Sequence, residues 1–373
     1  MIYFDNASTS RLKPESVYDA FNYYVREIGI SPGRGSYSLG VEASRLLYKS
    51  RKAVAGFFGI DDPSHVVFTK NSTEAINLFL NGFLQHGDHV LISPYEHNAV
   101  LRPLHNLKLS GIIDYTVLPE EAIYAPKESL RKYIKPNTRL AAFTLASNLT
   151  GQLVFSKGLA EVCKENGLYV FVDSSQGAGK GILNMARDNI DVLAFTGHKD
   201  LFALPGVGGL CSIKALGIKP LIQGGTGVHG HNFVNPEIYP DAYEAGTLNM
   251  PAIWSLKTSI EFINDKLNQI CMQEDLLIKE LISGLQNLDN VVVYNADRKR
   301  VATVCFNVKG MASSDVVAKL DRHGICVRGG IHCTILAHET LGTVDTGAVR
   351  ASINYFNTLD EVHMFVDVIG GIK

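Results

Sequence analysis

Between about residue 65 and residue 215 the chain alternates short, nearly unbroken apolar runs with segments in which apolar residues recur every three or four positions. The runs are HVVFTK (65–70), DHVLISP (88–94), IIDYTVLP (112–119), TRLAAFTLAS (138–147), LYVFVDS (168–174), DVLAFTG (191–197) and VGGLCSI (207–213). The periodic segments include TEAINLFLNGFL and SKGLAEVCKENG, the second ending on a glycine. Runs this apolar predict strands buried on both faces, and the strand–helix–strand spacing predicts a mostly parallel sheet covered by helices.

Residues 220 to 250 break the pattern. QGGTGVHGHN is glycine-rich and polar, and YEAGTLNMP is rich in turn formers, so both are expected as loops, which at this length usually serve function. A long helix is expected from near Pro251 through IWSLKTSIEFINDKL. Beyond it RVATVCFNV (300–308), ICVRG and AVRASINYF (348–356) read as strands, with SSDVVAKLDRHG and TLDEVHMFVDVIGG as helices. These form a smaller α+β unit, so the fold class is α/β with two lobes.

Composition narrows the choices. Of 373 residues, 46% are hydrophobic and 19% charged, which suits a globular chain with a sizeable core. The formal net charge is −2, without the basic footprint of a nucleic-acid binder. The six cysteines, at 163, 211, 271, 305, 326 and 333, form no CxxC pair, so reduced thiols and no metal site are expected. The opening MIYFDNAST has no basic or apolar leader pattern, and no apolar run reaches membrane-spanning length, so the cytoplasm is expected and a membrane is not.

In an open parallel sheet, ligands bind at the carboxyl ends of the strands. After HVVFTK, Asn71 can cap a helix with Glu74 three residues on, leaving the N–H groups of Ser72 and Thr73 as an anion seat. The next strand ends present His97, then Asn148, then Asp173 and Gln176, then Thr196, His198 and Lys199. Each alone is more often structural than catalytic. Together they furnish one sheet edge with a phosphate seat, a flat ring, an amide, a carboxylate and an amine. Pyridoxal phosphate needs that set: an anion site, a stacked ring, an acid at the pyridine nitrogen and a lysine for a Schiff base.

On the motifs TGHK, VDSSQ, FTKNSTEAIN, EAGTLN and RGGIHC, the chain resembles the class V aminotransferase family of fold-type I pyridoxal-phosphate enzymes. Within it the likeness is to the group II (SUF-type) cysteine desulfurases and selenocysteine lyases, and it extends from FDNAST to RASINYFNT. The resemblance implies a large cofactor domain, residues 15–255, with a mostly parallel seven-stranded sheet. Residues 1–14 and 256–373 would form the small domain. It implies Lys199 as the Schiff-base lysine, with Thr196, His198, Ser72 and Thr73 on the phosphate. His97 would stack on the ring and assist proton transfer as a catalytic residue, Asp173 would meet the pyridine nitrogen, and Gln176 and Asn148 would approach the phenolic oxygen or the substrate. Thr247 would reach the phosphate of a neighbouring subunit in a homodimer.

Desulfuration needs a thiol. RGGIHC places Cys333 in a glycine-flanked loop, where it could attack the sulfur of L-cysteine and carry a persulfide, leaving alanine. Neighbouring His332 is a candidate to help activate it. The other five cysteines lie in helix or strand patterns and are expected to be buried. Arg350 matches the family's carboxylate-binding arginine, and Arg328 a second one near the loop. Arg350 sits in an apolar strand pattern, where either a ligand or a salt bridge would satisfy it. The resemblance implies sulfur mobilisation, as for iron–sulfur cluster assembly, with a sulfur-acceptor protein as a possible partner. Three positions depart from the family pattern: Ala242, where an arginine often stands, and Thr334 and Ile335 after the cysteine. The alternatives are a selenocysteine lyase, or another class V aminotransferase or β-lyase in which Cys333 is incidental.

Overall fold

The computed structural model describes residues 1–33, 35, 37–227 and 231–372. Part of the expected glycine-rich loop, residues 228–230, lies outside the described residues. Strand β1 (Ile2–Tyr3) opens the chain. The apolar runs then form β2 (Val66–Thr69), β3 (Asp88–Ile92), β4 (Ile113–Val117), β5 (Thr138–Thr144), β6 (Tyr169–Asp173), β7 (Val192–Thr196) and β8 (Gly208–Ser212). They make one seven-stranded sheet in the order β2-β8-β7-β6-β5-β3-β4. Only β8 runs against its neighbours; the pairs β3–β4, β3–β5, β5–β6 and β6–β7 are parallel.

Both faces of this sheet are covered. Along β6, Val170 and Val172 enter one hydrophobic core and Phe171 the other, which is why the run carries no polar alternation. The edge strand β4 is only partly buried and keeps polar residues. Two helices that the apolar pattern does not single out, Glu15–Tyr23 and Ser38–Phe58, pack on the helix Met250–Gln286. That helix has 37 residues and runs well past the expected stretch. Its first half enters the core beneath the large sheet, and Leu277, Leu281 and Leu285 enter a third core. Residue 255 therefore falls inside a continuous helix.

The third core belongs to β9 (Val291–Tyr294), β10 (Thr303–Val308), β11 (Ile325–Cys326), β12 (Arg328–Gly330) and β13 (Ala348–Ser352). A four-stranded antiparallel sheet runs β12-β13-β10-β9, while β11 pairs in parallel with β1. ICVRG is thus two strands and not one, and the last expected strand stops at Ser352 instead of continuing to residue 356. Asp5 bridges to Ser352, which sews the N-terminal segment onto the small sheet.

Candidate active site

The carboxyl ends of β2, β3, β5, β6 and β7 lie on one edge of the large sheet. The chain leaves β3 for β4 and returns to β5 on the other side, so a crevice opens between β3 and β5, where the strand order reverses. A cavity of about 170 Å³ occupies this edge. Its walls bring together Ser72 and Thr73, His97, Asn148, Asp173 and Gln176, and Thr196, His198 and Lys199. Ladder register sets part of this: Thr144 stands opposite Asp173, and Asp173 opposite Ala194.

The helix that follows β2 starts as the capping argument expects. Asn71 Oδ1 accepts from Glu74 N at 2.9 Å and caps the helix Ser72–Phe83. Glu74 Oε2 accepts from Lys70 N and not from the cap residue, so the reciprocal half of the box is shifted by one residue. The Thr196 hydroxyl is buried without a partner. Asp173 is buried, and its Oδ1 accepts from the Ser175 N–H and hydroxyl at 3.0 and 2.5 Å. Ser175 Oγ in turn accepts from the Ser72 hydroxyl at 2.7 Å, linking the acid to the first residue of that helix. Ser175 and Thr144 line the cavity without having been singled out from sequence. Ser175 sits inside VDSSQ, which was the available signal.

His97 caps the helix Asn98–Leu109, with Nδ1 accepting from Ala99 N at 3.0 Å. Burial, reinforced by Lys199 and the arginines Arg328 and Arg102, pushes its pKa down to about 4 against the pull of Asp173. The ring is neutral at pH 7, and the Ala99 bond leaves its proton on Nε2. Behind it the fully buried Glu96 carboxyl is pushed up to about 8 by burial. Burial also lowers Lys199 to about 8, with Arg350 adding to the shift and Asp173 opposing it. A lysine near neutrality is what Schiff-base chemistry requires.

The two arginines meet outside the cavity. Arg350 is buried; it donates to Asp5 Oδ1 at 2.6 Å, to Ser8 Oγ at 2.7 Å and to the Asn148 carbonyl at 2.9 Å. The salt-bridge alternative is therefore realised in the structure, although Arg350 Nε has no partner. Arg328 donates to the Ser8 hydroxyl at 3.3 Å and to Cys333 Sγ at 3.9 Å. Asp5 and Ser8, both within FDNAST, are the polar bracket that sequence reasoning missed.

Cys333 is the only exposed cysteine; burial pushes the Cys163 thiol up to about 12 and raises those of Cys211 and Cys305. Hydrogen bonds from three segments tie down its loop. Asn98 N–H donates to the Cys333 carbonyl at 2.8 Å, Asn148 Nδ2 to the His332 carbonyl at 2.7 Å, and the Thr334 hydroxyl to the Glu96 carbonyl at 3.1 Å. These bonds hold two consecutive residues, His332 and Cys333, at φ of 55° and 59°. The left-handed region costs roughly 1–2 kcal/mol per residue. Thr334 thus has a use for its hydroxyl, and Ile335 begins the short helix Ile335–Leu341. His332 does not serve the thiol: its ring turns inward onto His338, at 5.9 Å between centroids, and burial pushes its pKa down to about 3. The charge beside the sulfur is Arg328. Removing only the Thr334 hydroxyl (Thr334→Val) should speed alkylation of Cys333 by iodoacetamide about fivefold, for the loss of one buried hydrogen bond. Thr334→Ser should not, as mass spectrometry of quenched samples can check.

Thr247 is not brought to this cavity. It lines a neighbouring pocket of about 480 Å³ with Asn71 and His198. Glu244 of the same EAGT motif forms a buried ion pair with Arg51 and accepts from Phe68 N at 2.6 Å. Ala242 is buried. Among the described residues no cluster of three or more metal-binding side chains occurs, and no helix is long and apolar enough to cross a membrane.

The family model for aminotransferase class-V matches residues 2–365. A Methanothermobacter thermautotrophicus protein named "Probable cysteine desulfurase" is 32% identical, over 99% of this chain and 94% of its own. A protein of the same name from Pyrococcus abyssi is also 32% identical, over 99% and 93%. The apo structure of a cysteine desulfurase from Thermococcus onnurineus superposes with a TM-score of 0.90 at 31% identity, covering 99% and 94% of the two chains. The S-sulfonic acid form of the Escherichia coli cysteine desulfurase CsdA gives 0.87 at 28%, covering 98% and 93%.

Proposed function

Because the chain belongs to the aminotransferase class-V family, we infer that it is a pyridoxal-phosphate-dependent cysteine desulfurase. The observation that carries this reading is the position of Cys333. The one exposed thiol stands in a groove that shares Thr73 and His97 with the cavity holding Lys199 and Asp173. An aminotransferase or β-lyase would have no use for it there.

The residues present fit the cofactor. The unpartnered Thr196 hydroxyl and Asn148 Oδ1 are buried polar atoms awaiting a ligand. Ser72, Thr73, Thr196 and His198 would hold the phosphate, His97 the ring face, Asp173 the pyridine nitrogen, and Gln176 and Asn148 the phenolic side. Lys199 would make the covalent attachment. When bound, the cofactor supplies a sink for the electron pair released at the substrate α-carbon. Lys199, poised near pH 8, can take the α-proton. Arg350, through its free Nε or by exchange with Asp5, and Arg328 would orient the substrate carboxylate. Cys333 Sγ then bonds to the substrate sulfur as the carbon–sulfur bond breaks. The departing electron pair stays on the fragment that becomes alanine, and Cys333 keeps the persulfide.

A homodimer is part of the proposal. Thr247 lies away from its own cavity, and Leu221, Ile222, Phe233 and Val234, in the segment before it, are exposed apolar side chains that a second copy would cover. The holoenzyme incubated with L-cysteine should release alanine and leave a 32 Da sulfur adduct on Cys333, seen by peptide mass spectrometry (about the mass of one sulfur atom). A keto acid formed in the presence of an amino acceptor, with no adduct, would overturn the reading.

A further inference from the structure

Sulfur left on Cys333 must go to an acceptor, and the structure says something about its chemistry. The groove that holds Cys333 has a volume of about 480 Å³, the size of a small-molecule site. Its outer wall is polar: Asn77 and Asn81 come from the helix Ser72–Phe83, and Arg102 and Asn106 from the helix Asn98–Leu109. Among the described residues no acidic side chain lines it.

Arg102 is exposed, and its guanidinium has no hydrogen bond or ion pair among the described residues. Arg131 and Arg187 are matched with Glu165 and Asp188, whereas Arg11, Arg26 and Arg322 are, like Arg102, exposed and without an ion pair among the described residues; what sets Arg102 apart is that it lines the groove of the thiol. Arg328, on the other side of the thiol, bonds only the Ser8 hydroxyl and the sulfur. The thiol therefore lies among carboxamides with uncompensated positive charge on either side. A guanidinium in this setting selects a planar carboxylate.

We propose that this groove is a second binding site, for a small thiol bearing a carboxylate, and that Arg102 holds the carboxylate while the thiol accepts sulfur from Cys333. This rests on the desulfurase reading. The acceptor thiolate attacks the outer sulfur of the persulfide and a new S–S bond forms. The bond to Cys333 Sγ breaks, and Cys333 leaves as a thiolate that takes up the proton the acceptor lost. No external oxidant or reductant is required. The bond from Asn98 N to the Cys333 carbonyl keeps the loop at the groove wall throughout.

L-cysteine is itself a carboxylated thiol, so donor and acceptor roles have to be separated in the test. Holoenzyme is loaded with one equivalent of L-cysteine and the released alanine is counted. The loaded enzyme is then mixed with 3-mercaptopropionate, 2-mercaptoethanol or cysteamine, and loss of the persulfide is followed by mass spectrometry. The ratio of the Arg102→Gln rate to the wild-type rate cancels each thiol's own nucleophilicity. Arg102→Gln should slow 3-mercaptopropionate about fivefold, the upper end for a solvent-exposed ion pair, and leave the other two within about twofold. Arg102→Lys should restore most of the loss. Equal slowing of all three thiols, or none for 3-mercaptopropionate, would overturn the proposal. So would a persulfide that resists all three and is discharged only by a protein. Absence of the alanine burst would sink the desulfurase reading instead.

Discussion

Cys333→Ser is expected to abolish alanine and sulfide release from L-cysteine, by at least about a thousandfold, with the visible cofactor band unchanged. A hydroxyl is a far weaker nucleophile than a thiolate and cannot store sulfur as a persulfide. The substitution is nearly isosteric at an exposed position, and the loop is held by its backbone and by Thr334 and Asn148, not by the sulfur. The loss would therefore be chemical and not conformational. The remaining cysteines cannot substitute: Cys163, Cys211 and Cys305 are buried with raised pKa values, and Cys326 and Cys271 belong to a strand and a helix away from the groove. Running L-selenocysteine beside L-cysteine adds a second comparison. Selenium release that survives Cys333→Ser would assign the thiol to sulfur alone, whereas alanine at the full rate from L-cysteine would refute the persulfide route.

The cavity was readable from sequence because strand ends are readable. Lys199, Asp173 and His97 each follow a buried apolar run, and parallel pairing puts such ends on one edge. What stayed hidden depends on contacts between distant segments or on side-chain direction. Arg350 is paired by Asp5 only because the N-terminal segment bridges to Ser352, a contact no local pattern encodes. His332 is adjacent to Cys333 in sequence, yet the left-handed backbone at both residues sends the two side chains to different surroundings. The helices Glu15–Tyr23 and Ser38–Phe58 escaped because Tyr18, Tyr23, Leu39, Val41 and Tyr48 are apolar but exposed, which blurs the helical period. The splitting of ICVRG reflects its two partners: β11 pairs with the N-terminus and β12 with β13.

The cofactor-free protein should be stabilised by Lys199→Met at pH 7, by up to about 3 kcal/mol, and the advantage should fade as pH rises toward 10. The sign follows from where the proton sits. The Lys199 amine falls from its ordinary 10.5 to about 8 in the folded chain, chiefly because burial disfavours the ammonium. Below pH 8 both folded and unfolded chains carry the proton, and the folded state bears the whole cost of the buried charge. Between 8 and 10.5 the unfolded chain binds more protons than the folded one, so stability climbs with pH. Above that window the lysine is neutral in both states and the cost is gone. Methionine has similar bulk without the charge, so the variant should lack this slope. Water in the cavity and the Asp173 carboxylate return part of the cost, which makes the figure a ceiling. Urea denaturation of both apo proteins at pH 7 and pH 10 reads the difference. A wild-type protein as stable as the variant at pH 7 would mean that Lys199 is solvated, and would remove the basis for its activation as an amine.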